Sequence, residues 1–305
     1  MKIPIVVIAV LSSIIISSCT NKNGSFTDVY ISGSLQDSTY SGAVYWKNKK
    51  AVPVTSPLNN IIVSGNDIYT LGSDFYAKNG VVTTLPNAMG TTGFFVDGAD
   101  VYVTGYTAAS LSTATAAAIY WKNGVQVNLT QSTDTVTAAT TYAVFVSNGD
   151  VYIAGIIGIN YRNEFGVYWK NGNRVSIPNA YMPKAIAVSG TNIYVAGTSL
   201  TDGDVYWING AEQILGGAAI INSMVVSGTD VYLAGYSALG PNQAAYWKNG
   251  VAVMLPNGSD ATGIAVSGNT VYTCGNGGNN DAVYWKNSVI DTLGSGSATG
   301  IALGH

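Results

Sequence analysis

The chain has 305 residues, of which 47% are hydrophobic, 10% are charged and 36 are glycine. Low charge, frequent glycine and abundant valine, tyrosine and threonine favour one large all-β domain. The net charge of −3 provides no basic surface for a nucleic acid, so we expect no nucleic-acid partner.

The first segment has the pattern of a targeting signal. Lys2 precedes an apolar run over residues 3–16, which is shorter than the roughly 20 residues that a membrane-spanning helix needs. The run ends in Ile-Ser-Ser-Cys at 16–19, which resembles the lipobox of bacterial lipoproteins. The resemblance implies a signal peptide over 1–18, lipidation of Cys19, a tether over 19–27 and attachment to the bacterial outer membrane. Ordinary secretion with cleavage nearby is the alternative.

Two short phrases recur over residues 28–305. One is Tyr-Trp-Lys-Asn-Gly, as at 246–250, and the other is Asp-Val-Tyr, as at 230–232. Seven copies follow one another at intervals of about 40 residues, the period of a four-stranded propeller blade. Each repeat divides into strands A to D, and the sixth has strand B at 230–235, strand C at 244–247 and strand D at 251–255. The sequence therefore predicts an all-β, seven-bladed propeller of four-stranded antiparallel blades.

The two ends of the repeat region predict how the ring closes. The region begins with a strand B at Asp28 and ends with a strand A over 299–304, so we expect the C-terminal strand to complete the first blade. The order of the phrases is similar to that of kelch repeats. The kelch diglycine is absent, because Tyr236 follows Gly235 and Thr198 follows Gly197, so the resemblance implies the fold and no ligand.

Few residues are suited to catalysis. The only histidine is His305, the last residue, which excludes a histidine-based triad or a histidine-ligated zinc ion. With Cys19 lipidated, Cys274 is the only thiol left, and it occupies a position that carries alanine in other repeats. We predict no catalytic residue, no metal and no cofactor, and we regard an enzyme as the less favoured reading.

Propeller topology places the B–C and D–A connections on one face, which we call the loop face. These connections vary between repeats, as the binding loops of repeat proteins do. We predict ligand-binding residues there, where aromatic rings lie beside carboxylates. The candidates are Tyr161, Arg162, Glu164, Phe165, Tyr181, Asp202 and Asp204.

The preferred reading is a non-catalytic, membrane-anchored propeller that binds a glycan or an envelope protein through the loop face. One alternative is a carbohydrate-active enzyme that uses loop carboxylates such as Asp202 and Asp204, although these residues also suit an ordinary turn. Another alternative is a structural or assembly component of an outer-membrane complex.

Overall fold

A computed structural model describes residues 28–38, 40–108, 117–129, 136–159, 163–216 and 218–304. All 27 regular elements in these ranges are β-strands, which confirms the predicted all-β class. The segment 1–27, with Cys19, lies outside the described residues, as do Tyr161, Arg162 and His305. Within the described ranges there is no helix long and apolar enough to cross a membrane.

Five separate sheets each contain four antiparallel strands that pair in chain order. The first comprises β4 (Asn60–Ser64), β5 (Asp67–Leu71), β6 (Phe75–Lys78) and β7 (Val81–Thr84). The second comprises β8 (Ala88–Asp97), β9 (Asp100–Thr107), β10 (Ile119–Lys122) and β11 (Val125–Asn128). The third comprises β12 (Val136–Ser147), β13 (Asp150–Ile159), β14 (Asn163–Lys170) and β15 (Asn173–Ser176). The fourth comprises β16 (Ala180–Ser189), β17 (Asn192–Ser199), β18 (Gly203–Ile208) and β19 (Ala211–Ile214). The fifth comprises β20 (Ala219–Ser227), β21 (Asp230–Ser237), β22 (Gln243–Lys248) and β23 (Val251–Met254).

The remaining strands form one seven-stranded sheet. In order across the sheet they are β24 (Gly258–Ser267), β25 (Thr270–Gly277), β26 (Asp281–Lys286), β27 (Val289–Gly304), β1 (Asp28–Gln36), β2 (Ser41–Lys47) and β3 (Lys50–Pro53). The prediction of seven four-stranded blades is therefore wrong in its count, because the structure has five. The predicted pairing of the C-terminal strand with the strand at Asp28 is confirmed, since Asp28 lies opposite Gly304.

The connection after the outer strand is different in the last repeat. In three other repeats the outer strand ends at Leu-Pro-Asn or Ile-Pro-Asn, and Asn87, Asn179 and Asn257 take positive φ angles there. The last repeat instead reads Leu-Gly-Ser-Gly at 293–296. Here β27 continues from its pairing with β26 directly into its pairing with β1.

The repeated tryptophans lie in the core between neighbouring sheets. All six are buried, none being more than 1% exposed. Three of the indole N–H groups donate to carbonyl oxygens of the connection that enters their own sheet: Trp121 to Pro86, Trp247 to Gly216 and Trp285 to Pro256. The inner strands, such as β4 and β9, are buried along most of their length, which is why they lack a polar–apolar alternation, whereas outer strands such as β7 and β15 are largely exposed.

A β-bulge interrupts the innermost strand at nearly the same place in most repeats. The register shifts between Thr91 and Gly93, between Thr141 and Ala143, and at matching places in β16, β20 and β24. The glycine of strand B lies opposite this bulge. At Gly235, for example, an added Cβ would overlap the carbonyl oxygen of Ile220, so the close approach of the two strands requires glycine.

Candidate functional site

The innermost strands surround a central cavity of about 180 Å³. Strands β4, β8, β12, β16, β20 and β24 contribute to its wall, together with the second half of β27. At each bulge the extra residue is left out of the ladder, which lets its side chain point away from the sheet. The bulged residues that line the cavity are Thr92, Tyr142, Lys184, Asn222, Thr262 and Thr299. The repeat thus surrounds a polar cavity with side chains that differ from one sheet to the next.

Several bulged side chains donate hydrogen bonds to the next innermost strand or to the segment that precedes it. The Thr92 hydroxyl donates to the carbonyl of Thr141 at 2.7 Å, and the Thr262 hydroxyl donates to the carbonyl of Ala298 at 2.8 Å. The Thr299 hydroxyl donates to the carbonyl of Leu58 at 3.1 Å. These threonines satisfy backbone carbonyls of the next innermost strand or of the segment that precedes it, so their first role is structural.

Lys184 is the only cationic side chain among the cavity-lining residues, and it is held by a buried carboxylate. Its Nζ lies 2.6 Å from Oδ2 of Asp204, whose side chain is 2% exposed, while the Lys184 side chain is 24% exposed. The same carboxylate accepts a hydrogen bond from the Thr198 hydroxyl at 2.6 Å and from the backbone N–H of Ile221 at 2.7 Å. These hydrogen bonds and the ion pair satisfy the Asp204 carboxylate, which is buried away from solvent. Asp204 therefore holds Lys184 in place and connects the sheet of β18 to that of β20.

Tyrosine and glutamate side chains meet beside the cavity. Tyr142 lines the cavity, and burial raises the pKa of its hydroxyl, helped by the negative charge of Glu164 and by Tyr181. The Tyr181 hydroxyl donates to Oε2 of Glu164 at 3.4 Å. Glu164 is exposed and Tyr181 is partly buried. We call Tyr142, Glu164 and Tyr181 the aromatic–acidic cluster.

A further carboxylate, that of Asp260, lies near the cavity wall. Asp260 precedes the bulge in β24, and its Oδ1 accepts a hydrogen bond of 2.6 Å from the amide of Asn222, which lines the cavity. Burial raises the pKa of Asp260, although the hydrogen bond from Asn222 partly opposes the effect. The cavity and its surroundings therefore offer an ammonium, hydroxyls, amides and carboxylates, which are groups suited to hydrogen bonding with a polar ligand.

The structure separates the residues that the sequence predicted as a site. It brings Glu164 and Tyr181 together and places Phe165, partly buried, beside Glu164 in β14. Asp202 is exposed and accepts a hydrogen bond from the hydroxyl of the adjacent Thr201. Asp204 is buried, so Asp202 and Asp204 do not form a solvent-facing pair. Tyr161 and Arg162 lie outside the described residues.

The cavity residues Tyr142, Lys184 and Asn222 were not predicted from the sequence. A signal was present, because aligning the repeats at strand A shows one position that is Thr, Tyr, Lys or Asn in six repeats, always followed by Gly, Ala or Ser. Among the described residues, no three His, Cys, Asp or Glu side chains converge in a way that could hold a metal ion.

No protein-family model and no curated protein matches the chain. Three solved structures resemble it at 10% identity. A triple arginine-to-alanine mutant of AofleA from Arthrobotrys oligospora aligns with 81% of this chain over 89% of its own length, with a TM-score of 0.44. Trypanosoma rangeli sialidase in complex with sialic acid aligns with 88% of this chain over 56% of its own, with a TM-score of 0.46. The N-terminal domain of Nup159 aligns with 90% of this chain over 89% of its own, with a TM-score of 0.42. Similarity at this level transfers neither a ligand nor an activity to the chain.

Proposed function

We propose that the protein is a non-catalytic binding module, anchored to a membrane through Cys19, that binds a glycan around the central cavity. The observation that carries the proposal is the aromatic–acidic cluster beside the cavity, where Tyr142 lines the cavity and the hydroxyl of Tyr181 donates a hydrogen bond to Glu164. Tyrosine rings bind the apolar faces of sugars, and a carboxylate accepts hydrogen bonds from sugar hydroxyls.

The accessible carboxylates support binding over catalysis. A glycosidase needs two carboxyl groups that face one bond across a cleft. The pair that the sequence offered for this task is divided, since Asp204 is paired with Lys184 and Asp202 is exposed. The cavity itself, at about 180 Å³, has room for a small part of a ligand, so most of a glycan would lie on the surrounding loop face.

Binding of glycans by the full-length chain tests the proposal. We expect Glu164→Gln and Tyr181→Phe each to weaken glycan binding about tenfold, since each removes one hydrogen-bonding group. Asp74→Asn and Tyr236→Phe are the matched controls. Asp74 is an exposed carboxylate, as Glu164 is, and Tyr236 is a partly buried tyrosine, as Tyr181 is, and both controls belong to other repeats. Both controls should bind as the parent chain does.

Three outcomes would overturn this function. Release of shortened sugars would indicate the carbohydrate-active enzyme. A stoichiometric protein partner without glycan binding would indicate the assembly component. Equal binding by the cluster variants and their controls would place the glycan elsewhere. The anchor is tested separately, because Cys19→Ser should abolish incorporation of labelled fatty acid, and unchanged incorporation would refute lipidation of Cys19.

A further inference from the structure

The face opposite the loop face repeats one charged arrangement. We call this the turn face, formed by the starts of the second strands and by the turns that follow Trp-Lys. In the sixth repeat Lys248 pairs with Asp230 at 2.8 Å and lies 5.2 Å from the centre of the Tyr232 ring. The amide of Asn249 donates to the other oxygen of Asp230 at 2.9 Å. Four other repeats have the same ion pair at 2.7–2.8 Å: Lys47–Asp28, Lys78–Asp67, Lys122–Asp100 and Lys170–Asp150.

Two repeats depart from this arrangement in different ways. In the fifth repeat Asn192 replaces the aspartate and Ile208 replaces the lysine, so both charges are lost together. In the last repeat Thr270 replaces the aspartate, whereas Lys286 is kept and still lies over the Tyr272 ring at 5.6 Å. Among the described residues, Lys286 has no carboxylate within ion-pair distance. In the last repeat the charge of Lys286 is therefore uncompensated, whereas five other repeats pair the equivalent lysine with an aspartate.

Lys286 borders a cavity of about 270 Å³ between the last and first repeats. Val29 and Ile31 of β1 supply an apolar wall, and Tyr272 and Tyr284 supply two rings. The residues that line the cavity belong to β1 and the turn after β2 on one side, and to β25 and β26 on the other. An uncompensated ammonium and an apolar pocket thus occur together at one place.

The other charged groups around the cavity are already paired. Lys49, which also lines it, pairs with Asp291 at 2.8 Å. Burial, together with the hydrogen bond to Asp291, raises the pKa of Tyr284 to about 12, so its hydroxyl stays neutral. Asp28 nearby is held by Lys47 at 2.7 Å and by Asn48 at 2.6 Å. The net charge at the cavity is that of Lys286.

We propose that this cavity binds one anionic group, a phosphate or a carboxylate, joined to an apolar body. The anion would pair with Lys286 in place of the aspartate found in the other repeats, and the body would contact Val29, Ile31 and the tyrosine rings. A charge-assisted hydrogen bond to Lys286 binds the anion, and burial of the ligand's apolar surface supplies the rest of the binding free energy. Such a molecule is either a soluble organic acid or a membrane lipid with an anionic headgroup. The site is independent of the glycan-binding function proposed above.

The internal comparison between repeats provides the test. Titration of the full-length chain with phenyl phosphate measures binding of the soluble acid. Sedimentation with phosphatidylcholine vesicles, with and without phosphatidylglycerol, measures the contribution of an anionic lipid. Lys286→Gln removes the cation, and Thr270→Asp gives Lys286 the carboxylate partner found in five other repeats. Lys248→Gln is the matched control, because it removes an equivalent lysine that is already paired.

We expect Lys286→Gln and Thr270→Asp each to weaken binding of the anionic probe about tenfold, while Lys248→Gln leaves it unchanged. Thr270→Asp should also melt no lower than the parent chain, which separates loss of the site from loss of the fold. Binding of phenyl phosphate would support a soluble acid, and a response to phosphatidylglycerol alone would support a lipid. Absence of both responses, or equal loss in all three variants, would overturn the proposal.

Discussion

The buried ion pair beside the central cavity allows a quantitative prediction. Lys184→Thr places at this bulge the residue that β8, β24 and β27 carry, but it leaves the Asp204 carboxylate, 2% exposed, without its cation. Removing one partner of a buried pair costs about 3–5 kcal/mol, and the 24% exposure of Lys184 favours the lower end of that range. We expect the free energy of unfolding to fall by about 3 kcal/mol.

The reciprocal variant should be less harmful. Asp204→Ala introduces a residue that three other repeats carry as a buried alanine at this position, namely Ala118, Ala244 and Ala282. The variant leaves the buried N–H of Ile221 without its acceptor, at a cost of about 2 kcal/mol, and frees Lys184 to reach solvent in the cavity. The double variant Lys184→Thr, Asp204→Ala then has no unpaired charge, and we expect it to cost about 2 kcal/mol as well.

Urea unfolding of the parent chain, both single variants and the double variant measures this cycle. We expect a coupling free energy of about 3 kcal/mol between Lys184 and Asp204, since the double variant should be no less stable than Asp204→Ala alone. An additive result, in which the double variant loses about 5 kcal/mol, would refute it. A cost below about 1 kcal/mol for Lys184→Thr would show that solvent already screens the pair.

Two further predictions concern the second strand of the repeats. Gly235→Ala should cost about 3 kcal/mol in urea unfolding, because the new Cβ would overlap the carbonyl of Ile220. Gly216→Ala, where a Cβ would meet nothing within 4 Å, is the control and should stay within about 0.5 kcal/mol of the parent; equal costs would contradict the role of the bulge. Burial raises the pKa of the Cys274 thiol to about 12, so iodoacetamide at mildly alkaline pH should not alkylate Cys274 in the native chain and should do so after denaturation. Peptide mass spectrometry distinguishes alkylated from unmodified Cys274, and alkylation of Cys274 in the native chain would show that the thiol is accessible.

Local repetition made the architecture predictable. Asn249 and Gly250 take φ angles of 49° and 84°, and Asn-Gly is a sequence that favours a tight hairpin turn with positive φ at both residues. Lys49 and Ser288 replace the turn glycine in the first and last copies, and they nevertheless adopt positive φ angles of 71° and 66°. In five repeats the aspartate of one phrase contacts the lysine and the asparagine of the other. These residues are therefore scaffold, as the prediction of a structural repeat implied.

The site was less predictable because its parts come from different repeats. Glu164 and Tyr181 were both chosen from the sequence, but Tyr142 was not among the candidates, because it lies within a strand and not in a loop. Asp204 was chosen as an exposed loop carboxylate, and the structure buries it against Lys184. A bulge reverses the inside–outside order of a strand locally, so the direction of a side chain near it cannot be read from alternation alone.

The sequence by itself determined the all-β class, the hairpin turns and the pairing of the chain ends, because these depend on residues that are neighbours in the chain or that recur in every repeat. Only the tertiary structure decided that the first and last repeats share one sheet, that Lys184 and Asp204 form a buried pair, and that Lys286 borders a cavity. Each of these depends on contacts between segments far apart in sequence, and their geometry is set by how the sheets pack around the central cavity.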